Sequence, residues 1–241
     1  MTEFSRAVFA AVFVLLAGMA GAEERESIFF DVKLSGFKAG ELQIEALTTA
    51  DRYALAGRLE STGLLNVVRK VRFDARSEGR TGAFGIQPTR YEEETNTGSR
   101  ESAATMEFRR GVPQVRETRP PKPPGPLDVD PATQGGSLDP LSALYAVLRA
   151  VPEGESCPER TRIFDGRRAT MVTMTPVEEP EAGTLQCKGV YVRVGGFSEE
   201  DLRERRYFPF TMTYRPRDNG LWQVERLDVT SLYGKAQLVR R

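Results

Sequence analysis

Residues 139–151, DPLSALYAVLRAV, differ in pattern from the chain on either side of them. Their apolar residues Leu141, Leu144, Tyr145, Leu148 and Val151 recur at intervals of three and four, the period of one face of an α-helix. Asp139 suits the N-cap, where a carboxylate accepts from the unpaired N–H groups of the first turn. Pro140 suits the first helical position, where no donor is needed, and Pro152 cannot continue the helix. The spacing predicts a helix over 139–151. Its apolar stripe has to be covered, and two roles stay open for it: a plug in the core of a curved sheet, or a movable helix that touches a ligand.

Working outward, most of the chain alternates apolar and polar residues with period two, the pattern of half-buried strands. Upstream these are IFFDVKL (28–34), GELQIEAL (40–47), YALAGRLE (53–60), NVVRKVRFDA (66–75), a strand near 89–94 and SAATMEFRR (102–110). Val67, Val71, Phe73 and Ala75 share one face of the fourth. Gly79, Gly82 and Gly85 punctuate the chain before the fifth, and Asn96-Thr97-Gly98 reads as a hairpin turn. Downstream come TRIF (161–164) and RATMVTMT (168–175), flanking Asp165-Gly166 as a two-residue turn. TLQCKGVYVRV (184–194), RRYFPFTMTYR (205–215), LWQVERLDVT (221–230) and KAQLV (235–239) follow, with one helical turn expected after Gly195-Gly196. Phe208, Phe210, Met212 and Tyr214 line one face of their strand.

About eleven strands, one helix and no regular β-α alternation argue for a mainly β fold. So many antiparallel strands must curl to hide their edges. The expected architecture is a single curved antiparallel sheet, an open barrel or β-spiral, wrapped around one α-helix as one domain over 23–241. Between the upstream strands and the helix, residues 117–137 hold six prolines and three glycines. Proline cannot donate to a ladder, so this stretch reads as a connecting loop, with 119–126 in polyproline II form. Its P-x-x-P spacing also fits a signalling-domain ligand, the weaker reading.

The N-terminal residues 1–22 read as a signal peptide. An apolar run from Ala7 to Met19 follows Arg6 and precedes the small residues Ala20-Gly21-Ala22, with cleavage expected after Ala22. The run is short for a membrane span, though Glu3 leaves an uncleaved anchor as the alternative. Export places the chain in an oxidising compartment, the periplasm. There its two cysteines, Cys157 and Cys187, are expected to form a structural disulfide, worth roughly 3–4 kcal/mol for a loop of about 30 residues on the chain-entropy model. No C-x-x-C redox pair occurs, and zinc would need further ligands.

The composition also limits function. Lys and Arg number 34, as do Asp and Glu, so no net field draws nucleic acid or anionic lipid. The arginines read as solvated strand faces with cross-strand partners. Histidine is absent from the sequence, which removes imidazole from any catalytic or metal-binding set. The acidic runs Glu92-Glu93-Glu94, Glu178-Glu179 and Glu199-Glu200-Asp201 read as solvated. Asp165 reads as a turn residue rather than a base. No phosphate-binding glycine loop precedes a helix. We expect no enzyme, no cofactor and no metal.

The chain resembles a bacterial periplasmic family of unknown function. The resemblance rests on F-x-V (30–32) with G-x-L (40–42), D-P-L-S-A-L-Y (139–145) and Cys157 followed by F-D-G-R-R (164–168). Cys187 followed by G-G-F (195–197) and Gly-x-Ala-x-Leu (234–238) complete it. It implies a curved, mostly antiparallel sheet similar to that of the periplasmic lipoprotein carriers, and carries no catalytic residues. Two functions remain open. One is binding of an apolar envelope molecule, a lipid or a lipoprotein acyl chain, by Leu144, Leu148, Phe208, Phe210, Met212 and Tyr214. The other is an interaction module that contacts an envelope protein or the cell wall through its edge strands or the proline-rich loop.

Overall fold

The structure, a computed structural model, describes residues 23–63, 70–82, 85–232 and 234–241. The expected signal peptide and the start of the expected strand at 66–75, with Val67, lie outside the described residues. Thirteen strands form one antiparallel sheet in the order β7-β6-β5-β4-β3-β2-β1-β13-β12-β11-β10-β9-β8. The first meander comprises β1 (Glu24–Leu34), β2 (Phe37–Thr48), β3 (Arg52–Ser61), β4 (Arg72–Gly82), β5 (Gly85–Asn96), β6 (Glu101–Arg109) and β7 (Val112–Arg119). The helix α1 (Pro140–Leu148) leads into the second, β8 (Arg160–Phe164), β9 (Ala169–Pro176) and β10 (Leu185–Gly195). After the short helix α2 (Glu199–Glu204) come β11 (Tyr207–Pro216), β12 (Trp222–Ser231) and β13 (Gly234–Arg240). Pairing of β1 with β13 joins the two meanders into a nearly closed, barrel-like sheet.

Alternation decides which side chains enter the barrel. On β1, Ile28 and Phe30 are wholly buried, while Phe29 between them faces outward and is 37% exposed. The outward faces carry cross-strand ion pairs, such as Arg58 on β3 with Asp74 on β4 at 2.7 Å.

The proline-rich stretch departs from the expected loop at both ends. Residues 117–119 belong to β7, whose pairing with β6 continues through Ala103↔Arg119, so the expected strand count was too low. Residues 120–125 have no regular secondary structure. Beyond them the chain fills the seam between the edge strands. Val129 N–H donates to the Arg167 carbonyl (2.9 Å), and Gly136 N–H to the Gly111 carbonyl at the β6–β7 turn (2.9 Å). Leu138 bridges β8 in parallel, receiving from Phe164 N–H and donating to the Arg162 carbonyl, both at 2.9 Å. Covering the free edge satisfies donors and acceptors that an open barrel would expose.

The helix begins as the sequence indicates, with Asp139 accepting from Ser142 N–H and Pro140 in the first turn. It ends at Leu148, not Val151. Arg149 is extended (ψ 156°), and Val151 instead exchanges two backbone hydrogen bonds with Trp222. Nor is burial confined to one stripe. Ser142, Ala143 and Val147 are buried along with Leu141, Tyr145 and Leu148, whereas Leu144 is only half-buried. A helix inside a curled sheet is covered on several sides, so an amphipathic stripe underestimates its contacts. The single expected helical turn after Gly196 is α2, closed by a reciprocal cap between Ser198 and Asp201.

The turn after β8 spans four residues rather than two, since Phe164 pairs with Ala169. Asp165 holds it, its Oδ1 accepting from Arg167 N–H (2.9 Å) and Arg168 N–H (2.7 Å). A side chain that caps the backbone stabilises a wider turn than the Asp-Gly pair alone suggests. Cys157 and Cys187 form the expected disulfide, with Cα atoms 5.6 Å apart, tying the chain after α1 to β10.

Candidate ligand-binding interior

The interior has two unlike halves. Around α1 it is filled: Ile28, Phe30, Leu148, Met212, Tyr214 and Val224 are at most 1% exposed. A polar network lies within this half. Asp139 Oδ2 accepts from the hydroxyls of Ser142 (2.7 Å) and Ser77 (2.8 Å), and Tyr53 shares a hydrogen bond of 2.8 Å with Ser142. Burial pushes the Asp139 carboxyl above the usual carboxylate range, against the pull of those hydrogen bonds. At the other end of the helix, Arg240 donates to the Leu148 carbonyl (3.2 Å) over the face of Phe30 (4.9 Å). A cation at that terminus suits the helix dipole.

Two rows of inward side chains lead from the filled half towards the opposite mouth. Strand register sets Cys187, Met212, Leu227, Leu238 and Val32 side by side across β10-β11-β12-β13-β1. The next row outward is Gly189, Phe210, Val229, Ala236 and Leu34. Burial falls along this path. Met212 is buried, but Leu227, Leu238 and Val32 are only half-buried, as are Val229, Ala236 and Leu34. On the facing wall Phe73 is half-buried and Leu59 is 38% exposed. Phe210 lies flat against β10, because a Cβ at Gly189 would come within 2.2 Å of its ring. Beyond it, Phe208 and Tyr191 meet edge to face at 5.8 Å at the mouth.

Glu93 also points inward, flanked by Ala75 and Ala104 in the register. It accepts from the Tyr91 hydroxyl at 2.7 Å, and burial raises its carboxyl above the ordinary range. No alternation rule flags it, since the sequence places it in an acidic triplet that reads as solvated.

The six residues singled out from the sequence fall in different parts of this interior. Phe208, Phe210, Met212 and Tyr214 share the inward face of β11, but Met212 and Tyr214 are sealed in the filled half and only Phe208 remains half-open. Leu148 is wholly buried. The strands packed most closely on α1 are β3, β4, β5 and β8, while Leu148, Phe210, Met212 and Tyr214 share one hydrophobic core. The open surface lies further along, on β1, β12 and β13. The same alternation marks Val32, Val229 and Leu238, but gives no sign that they pack at the margin of the core and stay only half-buried.

The outer faces offer another kind of depression. A hollow of about 960 Å³ over β9–β13 is lined by Lys188, Arg215, Glu225, Arg226 and Asp228 among others. Its charges pair with one another, Arg215 with Glu225 and Arg226 with Asp228, as expected of a solvated strand face. Among the described residues no group of three or more cysteine and carboxylate side chains is placed to hold a metal ion. No described helix is long and apolar enough to cross a membrane.

No curated protein shows a significant match to the chain. Among solved structures it is similar to a beta-barrel-like protein of domain of unknown function DUF1849 from Brucella abortus. That match has 12% identity and a TM-score of 0.48 and covers 90% of this chain and 95% of the other. A family model matches residues 30–231, and the chain belongs to that family, the proteins of unknown function DUF3108.

Proposed function

We propose that this protein is a non-catalytic binding protein of the bacterial envelope that holds an apolar ligand, a lipid or a lipoprotein acyl chain, in the open half of its barrel. The observation that carries this reading is the fall in burial along the rows from Met212 to Val32 and from Phe210 to Leu34. Inward apolar side chains left half-exposed at a barrel mouth are stabilised by an occupant that excludes water, at about 25 cal/mol per Å² covered. The disulfide supports an oxidising, extracytoplasmic compartment, and a periplasmic location after cleavage behind Ala22 is part of the proposal. The Asp139–Ser142–Ser77 cluster is read as a helix cap rather than a catalytic set, because it is sealed beneath α1. Mass spectrometry of an organic extract from natively purified protein tests the reading. A stoichiometric lipid is expected; protein that is lipid-free and takes up no apolar probe would refute it.

A second reading, an interaction module without a small ligand, is favoured by a different observation. Phe37 (80% exposed), Tyr207 (58%) and Leu127 (54%) present apolar side chains to solvent. Cross-linking in intact cells that captures one envelope protein through Phe37 or Tyr207, from lipid-free material, would select it.

A further inference from the structure

Two motifs remain unused by a purely apolar site, F-D-G-R-R (164–168) and G-G-F (195–197), and they meet at the mouth of the open half. Their loops touch backbone to backbone. A Cβ at Gly196 would come within 2.6 Å of the Arg167 carbonyl oxygen and 2.8 Å of Arg168 Cα, and Gly196 has φ +83°, so the contact requires glycine. This contact builds a stack of cations and rings. Arg168 lies 5.1 Å from the centre of Phe197, and Arg193 lies 5.2 Å from the same ring and 5.1 Å from Phe208. Arg205 is 5.8 Å from Phe208, the first inward aromatic residue of β11.

These guanidinium groups differ from most arginines of the sheet, which face carboxylates. Arg167, next in sequence, is held by Asp128. Arg193 Nη1 instead donates to the carbonyls of Asp201 (2.6 Å) and Arg205 (3.0 Å), and Arg205 Nη1 to the Thr230 carbonyl (2.9 Å). Among the described residues, Arg168, Arg193 and Arg205 form no ion pair. The Asp201 carboxylate is engaged by Ser198, through its N–H (3.1 Å) and hydroxyl (2.8 Å), and is held below the ordinary carboxylate range by those bonds and, more weakly, by the charges of Arg193 and Arg168. Asp165 is turned to its own turn's N–H groups. Three cations held against aromatic faces, none of them in an ion pair and with Asp201 as a more distant countercharge to two, therefore adjoin an open apolar wall.

We propose that the open half selects amphiphiles with an anionic head, a phosphate or a carboxylate, placed at Arg168, Arg193 and Arg205, with the chain running inward past Phe208 to Phe210 and Val229. The planar guanidinium fork matches both head groups, and the N–H groups of Arg193 and Arg205 beyond the Nη1 bonded to backbone carbonyls remain to donate. This rests on the apolar-ligand reading above and adds the polar end of the ligand to it.

The test displaces a bound neutral polyene, diphenylhexatriene, from the full mature protein with dodecyl phosphate or dodecyl maltoside, and measures inorganic phosphate binding by calorimetry. Dodecyl phosphate should displace the probe at a concentration at least about tenfold lower than the maltoside, the effect of one charged hydrogen bond. Arg168→Gln, at an exposed position, and Arg205→Gln should each shrink that preference by about tenfold or more, and added salt should shrink it too. Maltoside displacement reports whether each variant has folded. Equal potency of the two detergents would overturn the head-group inference and leave the apolar reading standing. Failure of the polyene to bind would overturn both. Inorganic phosphate bound as tightly as dodecyl phosphate would also overturn the inference, by showing a plain anion site.

Discussion

The two halves of the barrel share strands β1 and β11, yet one is sealed and the other is not. On β1, Phe30 is fully buried while Val32, two residues on and on the same face, is half-buried; on β11 the contrast runs from Met212 back to Phe208. Nothing in the strand sequences changes along that path. What changes is the presence of α1, which bonds Tyr53 and Ser77 through Ser142 and packs most closely on β3, β4, β5 and β8. Burial inside a curled sheet is thus set by what fills it, and the filled half should carry the stability while the open half carries the binding surface.

Leu148→Ala is the harshest test of that division. Removing a wholly buried leucine from the filled half should cost about 2–5 kcal/mol, whereas Leu238→Ala and Val229→Ala in the open half should cost less than about 1.5 kcal/mol. Equal losses in denaturant unfolding would erase the distinction. Breaking the disulfide, which anchors β10 beside the filled half, should cost roughly 2–5 kcal/mol, read as a shift in unfolding midpoint on reduction. Ser142→Ala should cost about 1–3 kcal/mol, because Asp139 loses a hydroxyl donor at a site water cannot reach.

The smallest effect sharpens the comparison through pH. Burial raises the Glu93 carboxyl in the folded chain, so its contribution to stability is fully present below the ordinary carboxylate range and is lost as pH rises through the elevated value. Glu93→Gln should therefore gain on the parent as pH rises from about 4 to about 8, by about 1.4 kcal/mol per unit of pKa elevation. The difference between parent and variant, followed by thermal unfolding across that range, isolates this group from the surface carboxylates. A difference that stays flat would place Glu93 in water.

Most of the architecture could be read from the chain because alternation and capping are local. Asp139-Pro140 announced the helix start and Ile28 to Leu34 announced β1. What escaped reading depends on contacts distant in sequence. The helix stops at Leu148 because Val151 is recruited by Trp222, and residues 128–138 add contacts to β8, the β8–β9 turn and the β6–β7 turn to their own Asp130-capped turn. The candidate residues show the same limit. Period two puts Phe208, Phe210, Met212 and Tyr214 on one face, but how deeply each is buried depends on packing from elements distant in sequence. The arginines at the mouth were legible only as scattered charges, since their shared stack needs Gly196 to bring two loops together.

The most direct test of the central claim is titration of the purified protein with diphenylhexatriene, a neutral fluorescent polyene, alongside two variants. Val229→Gln/Leu238→Gln places amides in the open half, and Tyr207→Asp alters an outward, exposed neighbour. Saturable binding by the parent and by Tyr207→Asp, weakened at least about tenfold in the double variant with its unfolding midpoint little changed, is the expected result. No saturable binding by the parent, or equal binding by all three proteins, would contradict an apolar site in the open half.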